Sequence, residues 1–321
     1  MAQVWTMGEI LVEIMRAGVD EPLDRAGVFK GPYPSGAPAI FADTVARLGH
    51  GAGIIGGVGG DAFGRCVLGR LRADGVNTDY VAVDPDGSTA CAFVTYFSDG
   101  SREFLFHLSR TPAVRARGLD TPPDGENAFF HIMGCSLLSH PDFCDQIIKT
   151  ARAFHASGAS VSFDPNIRAE LLRGGNLKDI VEPVMRMCKI LLPGVEELLL
   201  LTGQDSLNLA LAHVFSSYPV EIIALKRGGQ GCEIVTRAQR FSLGVYPVDV
   251  VDTTGAGDCF DAAFLCGLLE KRPLSACAGM AAAAGALNSA AFGPMEGDIS
   301  PRTIKELQAH HPQVDCKVQT L

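Results

Sequence analysis

The stretch Val251 to Phe260, VDTTGAGDCF, holds the residues best suited to chemistry. Gly255, Ala256 and Gly257 carry almost no side chain, so the backbone there can approach a ligand closely. The apolar run that follows, CFDAAFLCGLLE, reads as a helix. Backbone N–H groups at a helix start, together with the helix dipole, form an anion hole. Asp258 stands at its mouth, where the dipole keeps a carboxylate ionised and able to accept a proton. A carboxylate is a weak base for an alcohol. Phosphoryl transfer tolerates this, because its transition state is loose and the base mainly orients the hydroxyl. The same residues also suit a plain glycine turn with an aspartate cap, so the stretch alone does not decide.

A second glycine pattern competes. Gly57-Val58-Gly59-Gly60-Asp61-Ala62 fits the dinucleotide form G-x-G-x-x-A after a strand, and Asp79 lies near the expected distance for a ribose-binding acid. The turn DAFG, which intervenes before the helix, speaks against it. The ten cysteines include no C-x-x-C pair, and most sit in apolar runs. They read as reduced core thiols rather than a zinc or redox site.

These residues need a scaffold. VWTMGEILVEIM reads as a first strand and its extension. AIFADTVARLG has helical spacing at Ile40, Val45 and Leu48 and stops at Gly49. GAGIIGGVG is strand-like, and GRCVLGRLRADG is helical. NAFFHIMG, SVSFDPN, CKILLPG and EIIALKRGG are short buried strands with helical stretches between them. Such alternation predicts a parallel sheet with helices on both faces. Ligands then bind beyond the carboxyl ends of the strands. Thr89 to Ser109 breaks the pattern: two strand-like runs flank Ser98-Asp99-Gly100-Ser101, and Asp-Gly signals a hairpin. Together with the polar, glycine-rich stretch from Asp20 to Gly36, it reads as a small β-rich lid. The lid spans about 13–36 and 88–109 within a single domain over 1–321.

Composition narrows the classes. Apolar residues make up 47% of the 321 and charged residues 20%, which supports one large core without long disorder. Basic residues number 27 against 36 acidic, a net charge of −9, which argues against a nucleic-acid partner. Phosphate recognition stays open, because backbone dipoles can hold an anion on an acidic protein. The start MAQVWTMGEILVEIM lacks the basic opening of a signal peptide. The uncharged run Pro273 to Met295 is rich in Ala, Gly and Ser, so it reads as a packed internal helix rather than a membrane span. A cytoplasmic location without a membrane partner is the expectation.

The motifs taken in order resemble the ribokinase-like (PfkB) carbohydrate kinases over nearly the whole chain. DTTGAGDCFDAAFL is similar to the family's C-terminal signature, and SGAPAIFADTVARLG to its N-terminal sugar-binding signature. GEILVEIM, GGVGGDAFG, VSFDPNIR, LPGVEELLLLTG and KRGGQG also stand in family order. The resemblance implies an α/β fold, a three-layer αβα sandwich with a mostly parallel central sheet and a small β-rich lid. It implies Asp258 as catalytic base, with Gly255, Ala256 and Gly257 forming the hole for the transferred phosphoryl group. Glu13, Gly36, Arg110, Asn166 and Arg168 would then face the sugar. Lys226, Gly228, Gly231 and Asn288 would face the nucleotide. Glu197 would act on magnesium through water, as suits an ion that keeps its waters. Asp252 and Thr254 match a loop that in many relatives holds a monovalent cation such as potassium. Surface ion pairs are the plainer reading of Arg168 and Glu197, and a polar helix residue that of Asn288.

Three positions depart from the family pattern. Ile40 stands where an asparagine usually contacts sugar hydroxyls, Gly194 replaces the asparagine of the N-x-x-E motif, and Glu13 replaces an aspartate. The expectation is an ATP- and magnesium-dependent sugar kinase acting on a terminal hydroxyl of a ketohexose, tagatose or fructose first. A homodimer is left open. The alternatives are a 2-keto-3-deoxygluconate kinase, a nucleoside kinase of the same fold, and a non-catalytic nucleotide- or dinucleotide-binding protein.

Overall fold

The computed structural model describes residues 3–123, 128–171, 176–312, 314 and 317–319, so Cys316 lies outside the described residues. In chain order the strands are β1 Val4–Met7, β2 Leu11–Val19, β3 Phe29–Ser35, β4 Ala52–Gly59, β5 Asn77–Asp84, β6 Ala90–Tyr96 and β7 Arg102–His107, then β8 Phe129–Met133, β9 Ser160–Asp164, β10 Cys188–Leu191, β11 Ile222–Lys226, β12 Cys232–Val235, β13 Arg240–Leu243 and β14 Lys317–Gln319. The helices are α1 Ala37–Arg47, α2 Ala62–Ala73, α3 Gly134–Ser139, α4 Pro141–Ala156, α5 Leu177–Met185, α6 Val195–Thr202, α7 Leu207–Ser217, α8 Ala256–Leu269, α9 Leu274–Ser289 and α10 Pro301–His310.

The large sheet has 10 strands in the order β14-β13-β12-β11-β10-β9-β8-β1-β4-β5. From β5 across to β11 neighbouring strands run parallel, and β12, β13 and β14 are added antiparallel. The parallel strands read as apolar runs because both of their faces are covered. Phe41, Phe264 and Ile54 belong to one apolar core, and Trp5, Phe130, Phe154 and Phe163 to another. The strand order reverses between β1 and β8. Such a switch point opens a crevice at the carboxyl ends of the strands.

A second sheet of four strands, β3-β2-β6-β7, carries the residues read as a lid. The first apolar run is therefore two strands in two different sheets, not one strand and its extension. Gly8 marks the break: a Cβ there would stand 2.2 Å from Pro38 Cγ and 2.4 Å from Ser136 Oγ. The chain squeezes past both and leaves the large sheet. Along β7 exposure alternates, with Arg102, Phe104 and Phe106 turned to the partly buried side. The β6–β7 turn closes at Asp99 and Gly100, the latter at φ 84°.

The dinucleotide reading of Gly57 to Ala62 fails on Asp61. Its carboxylate caps α2 by accepting from Gly64 N–H at 2.8 Å, and also accepts from the Thr89 hydroxyl at 2.7 Å. The glycines serve close packing, since a Cβ on Gly59 would meet the Gly87 carbonyl oxygen at 2.3 Å. None of the described cysteines forms a disulfide. Among the described residues no single helix is long and apolar enough to cross a membrane. Most of the run Pro273 to Met295 forms α9, which packs against α8 where Gly267 meets Cys277.

Candidate active site between two cavities

The glycine stretch closes the bottom of the site. Gly255 is the N-cap of α8 and holds φ 79°, a left-handed conformation open to glycine. A Cβ on Gly255 would stand 2.5 Å from the Pro294 carbonyl oxygen and 3.2 Å from Ile40 Cγ2. Two contacts brace the loop beneath it. Asn288 donates from Nδ2 to the Thr254 carbonyl at 2.7 Å, and Gly293 N–H donates to Asp252 Oδ2 at 3.0 Å. The Ala256 amide donates to Thr253 O, and the helical ladder begins with Cys259 donating to Gly255 O. The amides of Gly257 and Asp258 remain as the anion-binding pair at this helix start.

Asp258 lies in the first turn of α8 and is almost fully buried. Its Oδ1 accepts from Asn166 Nδ2 at 3.0 Å. Burial pushes its carboxyl up to about 7; nearby Asp164 and Glu13 push the same way, while Arg168 and Lys226 pull it back. Such a group is a stronger base than a free aspartate, and it is ionised in a large fraction near neutral pH. Asn166 itself sits at φ 38° just beyond β9, so its amide reaches sideways to Asp258 and to Asp164.

Lys226 ends β11 with its ammonium 2.7 Å from Asp164 Oδ2 and 3.2 Å from Asp261 Oδ2. The cation holds Asp164 below the usual carboxylate range despite its burial. Asp261, buried beside that negative charge, is pushed well above it. Asp258 and Asp261 are three residues apart and share one face of α8.

Two cavities flank this centre. A cleft of about 450 Å³ is lined by Lys226, Gly228, Gly231, Val250, Ala256 and Gly257, among others. A smaller cavity of about 50 Å³ lies on the other side, lined in part by Glu9, Glu13, Gly36, Asn166, Arg168 and Asp258. Residues 255–258 form the partition between them. Arg102 of β7 lines both cavities.

Gly36, at φ 105°, lets α1 start against the Glu9 carbonyl; a Cβ there would come within 2.4 Å of that oxygen. Glu13 accepts from the Ser35 hydroxyl at 2.7 Å through Oε1, while its buried Oε2 has no partner. Burial lifts its carboxyl to about 7. Arg168 sits against Phe104 of the lid, its Cζ 5.9 Å from the ring centre.

Several sequence assignments change. Arg110 is exposed and outside the small cavity, because β7 turns at Leu108, which lines the cavity in its place. The lid contributes Arg102 instead. Asn288 is fully buried as a brace on Thr254 and does not line the nucleotide-sized cleft; its neighbours Gly285 and Ser289 do. Asp252 and Thr254 are engaged within the protein. Tyr96 donates its hydroxyl to Asp252 Oδ1 at 2.9 Å, and Thr254 N–H donates to the same oxygen at 2.9 Å. The hydroxyls of Tyr96 and Thr254 lie 2.8 Å apart. These contacts brace the loop, and no step is derived through a cation there.

Glu197 acts as a brace. It accepts Gly194 N–H at 2.7 Å, at the start of α6, and Ile167 N–H at 2.8 Å, fixing the loop that carries Asn166 and Arg168. Among the described residues no cluster of three or more metal-binding side chains forms a cage. Magnesium keeps several waters and arrives with phosphates, so it needs few direct protein ligands. Asp164 and Glu197 are the carboxylates that would accept from those waters. Glu9, Tyr96, Arg102, Asp164 and Asp261 were not found from the sequence. The 258/261 spacing was the one signal that pointed to any of them.

The model of the pfkB family carbohydrate kinases matches residues 8–300. The chain is 30% identical to a fructokinase of Klebsiella pneumoniae, covering 83% of this chain and 84% of that protein. It is 33% identical to fructokinase-1 of Oryza sativa subsp. japonica, over 82% and 81% of the two chains. Among solved structures, a candidate ribokinase II from Escherichia coli in complex with ATP and magnesium superposes with a TM-score of 0.87 at 37% identity, covering 97% of this chain and 100% of that one. A fructokinase from Vibrio cholerae, at 24% identity and a TM-score of 0.81 over 96% and 98% of the two chains, shares the fold.

Proposed function

The chain belongs to the pfkB family of carbohydrate kinases, and we propose that it moves the γ-phosphate of ATP onto a terminal hydroxyl of a small ketose, fructose or tagatose first. The observation that carries this reading is the placement of Asp258. It lines the small cavity at the point where the partition of residues 255–258 separates that cavity from the large cleft. ATP would occupy the large cleft beside Gly228 and Gly231, with its terminal phosphate at the Gly257 and Asp258 amides. The sugar would fill the small cavity beneath the lid.

In the reaction the acceptor hydroxyl donates its hydrogen bond to Asp258. Oxygen attacks phosphorus as the bond to ADP breaks, and the proton passes late to the carboxylate. The helix-start amides meet the charge of the transferred group without reorganising. Bound magnesium would neutralise phosphate charge, held through water at Asp164 and Glu197. Lys226 holds Asp164 in place and keeps the acid cluster near Asp258 from accumulating negative charge.

Arg102 and Arg168 favour a second reading, a sugar acid such as 2-keto-3-deoxygluconate, since a guanidinium pairs well with a carboxylate. The fructokinase relatives favour the neutral ketose. A coupled ADP-release assay over ketohexoses, aldoses and sugar acids tests the reading. Fructose or tagatose should give the highest kcat/KM among them. Preference for 2-keto-3-deoxygluconate over both would establish the sugar-acid reading instead.

A further inference from the structure

Asp261 is a buried carboxyl with no part in proton transfer. It stands in an apolar run of α8, between Phe260 and Ala262, and is fully buried. It lines neither cavity. His131 Nε2 stands 4.0 Å from Asp261 Oδ2, and the His131 ring is stacked on Phe41, so that side gives the carboxyl no route to a ligand. Burying a carboxyl costs desolvation, and a buried ion pair adds little stability over apolar packing. What Asp261 does hold is Lys226, whose Nζ lies 3.3 Å from Oδ1 and 3.2 Å from Oδ2.

Lys226, unlike Asp261, reaches the large cleft and lines it. Its Nζ is 3.8 Å from where a Cβ on Gly257 would be, which puts the ammonium at the edge of the helix start. An ammonium has three donors. Asp164 takes one at 2.7 Å, and the two oxygens of Asp261, at nearly equal distances, share a second. One is left for an oxygen in the cleft. A single carboxylate would let the ammonium swing about that contact; the second fixes its direction.

We propose that Lys226 is a further catalytic residue, whose free donor meets an oxygen of the phosphoryl group in transit, and that Asp261 is the positioning residue that holds this ammonium beside the Gly257 amide. The proposal rests on the kinase reading. Lys226 neither takes nor gives a proton in the step. It meets charge on the phosphoryl oxygens as a fixed cation that does not have to reorganise.

The test is a double-mutant cycle in the full-length enzyme with ATP, magnesium and the ketose that the wild type turns over best, read in kcat. Lys226→Met should lower kcat roughly 100-fold, the scale of losing one such donor, with ATP affinity by calorimetry changed far less. Asp261→Val should lower it roughly 10-fold, since a misplacement of about 1 Å can cost that or more. Added to Lys226→Met, it should change kcat by less than about twofold, because the group it positions is gone. Asp261→Ala replaces the valine variant if that one fails to melt cooperatively. No loss from Asp261→Val, or equal losses in both backgrounds, would overturn the role of Asp261, because a merely structural part would add. Lys226→Met with near wild-type kcat would overturn the whole proposal. So would a deficit in Lys226→Met that vanishes near pH 9: Lys226 also pulls the Asp258 carboxyl down, and such a profile would make that its only part. In each of these cases the wild type still releases ADP with sugar, and the kinase reading stands. A wild type that releases none with any sugar overturns that reading, and this inference with it.

Discussion

Gly255 shows what a single residue contributes to this site. Its φ of 79° and the Pro294 oxygen 2.5 Å from a would-be Cβ leave no room for a methyl group. Gly257, two residues on, is different: a Cβ there would stand 3.8 Å from Lys226 Nζ, an ordinary contact. Gly255→Ala should therefore tilt the start of α8 and misplace the Gly257 and Asp258 amides. Turnover is expected to fall roughly 100-fold, the scale of losing an oxyanion donor, with helix content by circular dichroism unchanged. A Gly255→Ala enzyme with wild-type kcat would show that the amides are not positioned by this residue. The importance of small residues at 255–257 was legible in the sequence, because chemistry and motif agreed. Which glycine is the tight one was not, since the Pro294 carbonyl comes from a loop distant in sequence.

At the scale of elements, the lid meets the catalytic loop through one cross-strand pair. Tyr96 and Arg102 face each other across β6 and β7. Tyr96 bonds Asp252 and Thr254, and Arg102 Nη1 lies 3.4 Å from the Thr254 hydroxyl. Tyr96→Phe removes the tie and keeps the ring. It should raise the sugar KM roughly fivefold, the worth of one hydrogen bond of ~1 kcal/mol. Hydrogen exchange across β6 and β7 should quicken at the same time. Unchanged exchange and KM would mean that the contact does not hold the lid. Alternating strands and helices, and the Asp-Gly hairpin, were readable as local patterns. The pairing of Tyr96 with Arg102 depends on register, which no local pattern carries, and Arg110, expected to face the sugar, is exposed. The motif arginine lies past the end of the strand, on the exposed side of the turn. Asn288 misled in a similar way, because helix α9 turns it toward the loop and away from the cleft.

Across the whole molecule, the site is an accumulation of buried carboxyls. Burial raises Glu13, Asp43 and Asp258 to about 7 each. A carboxyl whose folded value lies above its unfolded one stabilises the fold fully below the unfolded value, and that contribution is lost as pH rises through the folded value. Asp61, Asp74 and Glu270 are shifted downward, so their contributions are lost only in acid, below the ordinary carboxylate range. The ligand-free protein should melt at a lower temperature near pH 8 than near pH 5, a window set by the raised group. Asp258→Asn should be more stable than wild type near pH 8, with the gap much smaller near pH 5 and closed only below the ordinary aspartate value of about 4. Parallel melting curves for the two proteins at both pH values would contradict a neutral-range carboxyl at 258.

The same substitution bears most directly on the chemistry. Asn is nearly isosteric with Asp and can still accept from Asn166, so the site should keep its shape and its ATP affinity by calorimetry. If Asp258 takes the hydroxyl proton, sugar-dependent ADP release by Asp258→Asn falls at least ~100-fold, the usual loss on removing a positioned base. Release within a few-fold of wild type, with ATP bound as before, would contradict the account.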